Sequence, residues 1–281
     1  MRSLLFVPAD RPERFAKAAA TGADALILDL EDSVALERKT LGREAIASAL
    51  SQAKPGPKLF VRINPLGSPH ISADLAALSG LRPDGIVLPK AEGAASVNAL
   101  ADLLASAKIN APILPIATET PRALFQLGSY QDVAAHLSGL TWGAEDLPAA
   151  IGAATSREED GRYTPPYEMA RSLTLFAAHA AGTEAIETVY PDFRDLDGLR
   201  AYAARAARDG FTGMMAIHPA QISFINAAFT PDDTALAHAQ EIVSAFAANP
   251  GVGALQINGR MIDAPHLKQA QKLLLRAGKP A

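Results

Sequence analysis

Eight short apolar runs recur along the chain, spaced so that a helix fits between each and the next. They are LLFVP (4–8), ALILDLE (25–31), LFVRIN (59–64), GIVLPK (85–90), PILPIAT (112–118), LTWGAE (140–145), AIETVYP (185–191) and MMAIHP (214–219). Several are near-continuous runs of Ile, Leu and Val, the pattern of parallel strands covered on both faces. The intervening stretches read as helices. PERFAKAAATG (12–22) has Pro12 for a first turn and Gly22 for a C-cap, ASVNALADLLASAK (95–108) is apolar-periodic, and DLDGLRAYAARAARDG (195–210) starts on an Asp cap and stops on Gly. Eight alternations predict a closed (β/α)8 barrel more readily than an open sheet.

Residues 147–165 form the longest insertion, with SREEDGR and a TPP turn, and read as a loop or partial lid. The chain continues well past the eighth strand. TPDDTALAHAQEIVSAFAANPG (230–251) is a predicted helix with an acidic first turn. ALQINGRMID (254–263) reads as a β-hairpin turning on Asn258-Gly259, and APHLKQAQKLLLRAG (264–278) as an amphipathic last helix. The expected organisation is a TIM barrel over 1–228 and a hairpin-plus-helix extension over 229–281, which packs on the barrel and on a neighbouring subunit.

Charge and composition narrow the function. The net charge is −4 with no basic block, which argues against nucleic acid as a partner. The absence of cysteine excludes disulfides, thiol catalysis and thiolate metal sites, and fits a reducing cytoplasm. No run approaches the roughly 20 apolar residues of a membrane span, and the N-terminal apolar run is too short for a signal peptide.

In an alternating β/α protein, chemistry collects at the C-terminal ends of the strands. Glu119 and Asp146 follow consecutive strands there. Neighbouring strands lie about 4.8 Å apart, so two carboxylates can share one octahedral Mg2+ with water and substrate oxygens completing the shell. The alternative is that each acid caps a helix. No His-x-His or Glu-x-x-His pattern suggests zinc. Arg62, in VRIN, is costly in an apolar strand without a partner. It reads as a clamp for a carboxylate or for developing oxygen charge, or as an ion-pair partner of Glu31. Asp29, Glu31 and Asp32 form DLED; alternation puts Asp29 and Glu31 on one face, suited to orienting Arg62 and Lys90. Lys90 at a strand end raises the alternative of a Schiff-base aldolase. Gly143 and Ala144, before Glu145 and Asp146, leave backbone amides open to a substrate carboxylate. His218 reads by default as a structural hydrogen-bonder. Arg2, Arg11, Arg14 and Lys17 make the N-terminal stretch basic, either a solvated face or a site for an anionic ligand.

The ordered set RSLLFVPADRPERF, LILDLEDSV, VRIN, GIVLPK, IATETPRAL, WGAEDL, AIHPAQI and GRMIDAPHL resembles the citrate lyase β-subunit (CitE-like) group of the HpcH/HpaI aldolase–citrate lyase superfamily. The resemblance runs from residue 2 to 278 and departs at Ala9, where many relatives have glycine. It implies a Mg2+-dependent TIM-barrel enzyme that cleaves or forms a C–C bond in a 3-hydroxyacyl thioester of coenzyme A or an acyl carrier. By motif position Glu119 and Asp146 are implied metal ligands, and Arg62 a catalytic, substrate-binding arginine. Phe6, Arg11 and Lys17 fall in the CoA-contacting segment, Glu145 joins Glu119 and Asp146 among the substrate-binding residues, and Ile217 and His218 fall in another ligand-contacting segment. Asp263 is implied to be catalytic in a neighbouring subunit's site, although the spacing before Pro265 also suits a helix N-cap.

The reaction so implied is citryl-CoA to oxaloacetate and acetyl-CoA. Malyl-CoA or citramalyl-CoA cleavage and a malate synthase-like direction are the alternatives. The resemblance further implies a homotrimer, or a subunit inactive outside a citrate lyase complex.

Overall fold

The computed structural model describes residues 1–52 and 55–279. All eight apolar runs contribute strands: β1 (Ser3–Pro8), β2 (Ala25–Asp29), β3 (Lys58–Arg62), β4 (Gly85–Leu88), β5 (Ile113–Pro115), β6 (Leu140–Thr141), β7 (Ala185–Glu187) and β8 (Gly213–Ala216). They pair in parallel in the order β5-β4-β3-β2-β1-β8-β7-β6. The ring closes between β5 and β6 through isolated bridges, Ile113 to Leu137 and Ile116 to Thr141. This is an eight-stranded TIM barrel.

Strand alternation sorts the side chains into two layers. Leu4, Ile27, Phe60, Val87, Leu114, Ile186 and Met215 fill the barrel interior. Leu5, Leu26, Leu28, Val61, Ile86, Leu88 and Trp142 face outward into the layer shared with the helices. Gly85 illustrates how tight the interior is, because a Cβ there would stand 2.2 Å from the Phe60 ring. The same alternation carries Asp29 and Arg62 inward above Ile27 and Phe60. It turns Glu187 outward next to the inward Ile186.

The surrounding helices are α1 (Phe15–Ala19), α2 (Lys39–Ser51), α3 (Ile71–Leu78), α4 (Ala94–Ser106), α5 (Pro121–Leu124), α6 (Asp146–Ile151), α7 (Pro165–Ala180), α8 (Leu196–Asp209) and α9 (Ile222–Phe229). Asp195 caps α8 by accepting from Gly198 N, and Gly210 ends it at φ 112°, as the sequence predicts. Two expectations need correction. Residues 12–22 give a 3-10 turn and the five-residue α1, whose C-cap is Ala20 rather than Gly22. There the Thr21 hydroxyl, donating to Ala18 O at 2.7 Å, satisfies a terminal carbonyl that a glycine cap would otherwise serve. The expected loop at 147–165 opens with α6 and is pinned by a bridge between Arg157 and Tyr163, whose ring is buried.

The chain divides into two compact units, Met1–Phe229 and Thr230–Ala281. In the second, α10 (Asp233–Ala248) begins on Asp232, which accepts from Ala235 N. A hairpin of β9 (Ala254–Ile257) and β10 (Arg260–Asp263) follows, and α11 (Ala264–Arg276) ends the unit. Asn258 and Gly259 both take positive φ, 49° and 79°, as a type I′ turn requires. Leu236, Ile242, Ile257, Ile262 and Leu274 form this unit's own core. Among the described residues no helix is long and apolar enough to cross a membrane.

Candidate active site

At the C-terminal rim of the barrel lies a cavity of about 380 Å3. Phe6, Arg62, Glu119, Glu145, Asp146 and Ile217 all line it, so six sequence-nominated residues converge from five strand ends. Asp29 and Asp32 border it as well.

Arg62 reaches in from β3 and is held at three points. Its Nε and Nη2 donate to the two carboxylate oxygens of Asp29, each at 2.6 Å, and Nη1 lies 2.9 Å from Glu31 Oε2. Its guanidinium also stands 4.9 Å from the Phe6 ring centre. Burial works to raise the Asp29 carboxyl, but the Arg62 guanidinium overrides it and holds Asp29 below the usual carboxylate range. Burial wins at Glu31, whose carboxyl is raised despite Arg62 and Lys90. Asp29 and Glu31 therefore orient the arginine, as strand alternation predicts. Asp32 is exposed, 3.8 Å from Nη1. The turn that carries Glu31 is fastened from outside: buried Lys39 donates to Leu30 O, Glu31 O and Asn64 Oδ1 at 2.7, 3.1 and 2.8 Å.

Lys90 takes a left-handed φ of 53°, sparsely populated for a residue with a side chain. That conformation turns its N–H onto Glu119 Oε2 at 2.5 Å. Its ammonium sits 3.1 Å from Glu31 Oε1. Burial works to lower the ammonium, yet Glu31 prevails and raises it. A Schiff-base lysine needs the opposite shift, so the environment disfavours that alternative.

Neither Glu119 nor Asp146 caps a helix. Thr120 is the cap of α5, its hydroxyl accepting from Ala123 N at 3.2 Å. Asp146 is the first residue of α6, after Glu145. The Glu119 carboxyl is buried, and burial pushes it up to about 8. The Lys90 amide opposes this shift, while Asp146 and Glu31 add to it. Two adjacent acids that repel each other, one buried, fit a hard divalent cation between them. Among the described residues no group of three or more His, Asp or Glu forms a complete protein cage. Mg2+ is commonly bound by one or two carboxylates and keeps positions for water and substrate oxygen. Gly143 belongs to this arrangement, since a Cβ there would stand 2.7 Å from Glu119 Cγ.

The amide expectation needs revision. The Gly143 N–H is already taken by the Thr118 hydroxyl at 3.1 Å, which leaves the amides of Ala144 and Glu145 for a ligand. Thr118 was missed because nothing in its apolar run distinguishes it; its place beside Glu119 was the only signal. His218 does not line the cavity. Its Nδ1 accepts from Ala220 N at 3.2 Å, and its ring stacks on Phe193 at 4.8 Å, a structural role. Arg11 and Lys17 are exposed and away from the cavity wall. Arg2 does not join them as a free charge, because Asp24 holds it with bonds of 2.7 and 3.1 Å. In the second unit Asp263 is the N-cap residue of α11, with His266 Nδ1 2.5 Å from its Oδ1.

A parallel barrel with an acid pair and a clamped arginine at its C-terminal rim can bind a cation and an anionic substrate, and the family matches narrow its class to carbon–carbon bond lyases. Residues 169–279 match a family described as C–C bond lyase of the TIM-barrel fold. Residues 2–219 match HpcH/HpaI aldolase/citrate lyase, and the chain belongs to that family. The citrate lyase subunit beta-like protein of Mycobacterium tuberculosis is 39% identical over 98% of this chain and 95% of its own length. The L-malyl-CoA/beta-methylmalyl-CoA lyase of Cereibacter sphaeroides is 33% identical over 98% of this chain and 94% of its own. The crystal structure of CitE from M. tuberculosis in complex with magnesium, acetoacetate and coenzyme A superposes with a TM-score of 0.83 at 39% identity. It covers 99% of this chain and 98% of that one.

Proposed function

We propose that this protein is a Mg2+-dependent lyase that splits a 3-hydroxyacyl-CoA thioester, with citryl-CoA giving oxaloacetate and acetyl-CoA as its reaction. The observation that carries the reading is the buried, proton-hungry Glu119 beside Asp146, on the same cavity as an arginine locked by Asp29 and Glu31. Glu119 and Asp146 would hold the cation. When bound, Mg2+ supplies a positive charge that favours the ionised hydroxyl and the keto-acid product.

The chain's own residues do the rest. The Ala144 and Glu145 amides bind a substrate carboxylate. The hydroxyl gives up its proton to solvent water, its electrons form the new carbonyl and the C2–C3 bond breaks. The pair from that bond passes into the thioester as an enolate. Arg62, fixed before substrate arrives, stabilises the enolate oxygen without reorganising. Asp263, which takes up a proton from solvent, then delivers it to the enolate carbon, yielding acetyl-CoA. Phe6 and Ile217 line the path of the thioester arm, and Arg11 and Lys17 supply positive charge for the CoA phosphates.

We assign the protein to the cytoplasm and to a homotrimer in which Asp263 serves the neighbour's cavity. Thr230–Ala281 then acts as the extension that closes each site from water. The test is a panel of citryl-, malyl- and citramalyl-CoA, assayed for acetyl-CoA release with and without Mg2+. Glu119→Ala should abolish Mg2+-dependent turnover and leave the fold intact. Turnover that survives EDTA and is trapped by borohydride at Lys90 would overturn the reading. Activity confined to a complex with larger partners would make the chain a citrate lyase subunit instead.

A further inference from the structure

A second polar cluster lies outside the cavity, buried between the barrel and its helices. Its centre is Glu187, fully buried at the end of β7 and pointing outward. Glu187 Oε1 accepts from Trp142 Nε1 at 2.5 Å, Tyr202 OH at 2.9 Å and Thr188 N at 3.0 Å. Oε2 accepts from Arg171 Nε at 2.7 Å. Arg171, from α7, also binds Asp209 at 2.8 Å and lies 4.8 Å from the Phe211 ring centre. One carboxylate thus ties β6, β7, α7 and α8 together.

A buried ion pair is a poor way to gain stability, because desolvation offsets most of the attraction and an apolar cluster serves as well. Its distinctive property is direction. Two of the four partners of Glu187, Thr188 and Trp142, belong to or precede a segment at the cavity, while Arg171 and Tyr202 anchor the carboxylate to α7 and α8. Thr188 lines the cavity directly, and Trp142 is followed at once by Gly143–Asp146, which also lines it. Gly143 is held by its bond to Thr118 as well, and the space a Cβ would occupy there is filled by Glu119. The end of β6 is therefore gripped on both faces, by Glu187 through the indole outside and by Thr118 and Glu119 inside. A shift of Trp142 moves Gly143 against Glu119 and displaces Asp146.

We propose that Glu187 is a positioning residue that, through Trp142, sets the spacing of Glu119 and Asp146 and hence their affinity for the cation. This rests on the Mg2+ reading above.

The test is calorimetric titration of the full-length protein with Mg2+ alone. Trp142→Phe removes the indole N–H together with part of the ring's bulk, and leaves Glu187 its other donors. Glu187→Gln removes the charge. Both should weaken Mg2+ binding about tenfold, the lower end of the effect of partners outside a metal's ligands, while cooperative unfolding persists. Ile46→Val, a core change on the buried face of α2, should lower stability without changing Mg2+ affinity. If Glu187→Gln does not fold, Trp142→Phe decides. Wild-type Mg2+ affinity in a folded Trp142→Phe overturns the inference, as does an equal loss in Ile46→Val. Wild-type binding that survives Glu119→Ala would instead remove the cation reading, and this inference with it.

Discussion

Gly143→Ala adds one methyl group at the point where β6 touches Glu119. The new Cβ would stand 2.7 Å from Glu119 Cγ, 3.2 Å from Ile116 Cγ2 and 3.4 Å from Glu119 Cδ. Carbons pack at roughly 3.5–4.0 Å, so about 1 Å must be found. Gly143 has no positive φ, so the cost is crowding and not backbone strain. The end of β6 is bonded on both faces, whereas the Glu119 carboxylate is held by the single bond from the Lys90 amide, so Glu119 gives way. Overpacking of this kind costs about 1–3 kcal/mol, a fall in Tm of roughly 2–12 °C for a unit of this size. Displacing the carboxylate should also weaken Mg2+ binding about tenfold or more. Thermal melts read both effects. At a Mg2+ concentration of about 100 Kd the wild type gains about 2.7 kcal/mol, and a tenfold weaker variant gains only about 1.4 kcal/mol. Gly128→Ala is the control, because a Cβ there meets nothing within 4 Å. Wild-type Tm and Mg2+ response in Gly143→Ala would refute the packing argument. Lost stability with an unchanged Mg2+ response would show that Glu119 is not a ligand.

Three further outcomes are expected. Arg62→Lys keeps the charge but at most one of the bonds at 2.6 Å to Asp29, so kcat should fall about tenfold or more, at least ~1.4 kcal/mol of transition-state stabilisation; unchanged kcat with a raised KM would mean that Arg62 only binds substrate. The metal-free Glu119 carboxyl, at about 8, lies above its unfolded value, so the protonated form contributes stability that is complete below the ordinary carboxylate range and is lost as pH rises through about 8. Mg2+ must displace that proton, so its affinity should climb about tenfold per pH unit below that point and level off above it; a flat calorimetric profile would count against the assignment. Asp263→Ala and Glu119→Ala should each be nearly inactive, yet regain activity when their subunits are mixed and exchange; no recovery despite proven exchange would put Asp263 in its own chain's site or outside catalysis.

What the sequence made legible is mostly local. Each apolar run signals its own strand, and alternation within a run is enough to send Asp29 and Arg62 inward. The Asn258-Gly259 turn and the Asp195 cap are likewise written in adjacent residues. The Glu187 cluster is not, although an acid inside AIETVYP and the chain's only tryptophan were both visible. Its partners come from α7, β6 and α8, and no spacing in the chain shows that they meet. The same holds for Lys39, whose position in a helix gives no hint that its ammonium fastens the turn carrying Glu31. Thr118, which takes an amide the sequence left for substrate, was illegible because it lies beyond β5 and its partner Gly143 is 25 residues further along the chain.

The ring of strands has one joint without a continuous ladder, where β5 and β6 meet through two isolated bridges. Glu119 stands beyond one side of that joint and Asp146 beyond the other. A cation gripped by both carboxylates would work as a rivet across the seam, making the mechanical closure of the barrel depend on occupancy. The amide of Ala117, which donates to Thr141 O across the joint at 2.8 Å, would then exchange its hydrogen more slowly when Mg2+ is present, while amides in the β1–β2 ladder would not change.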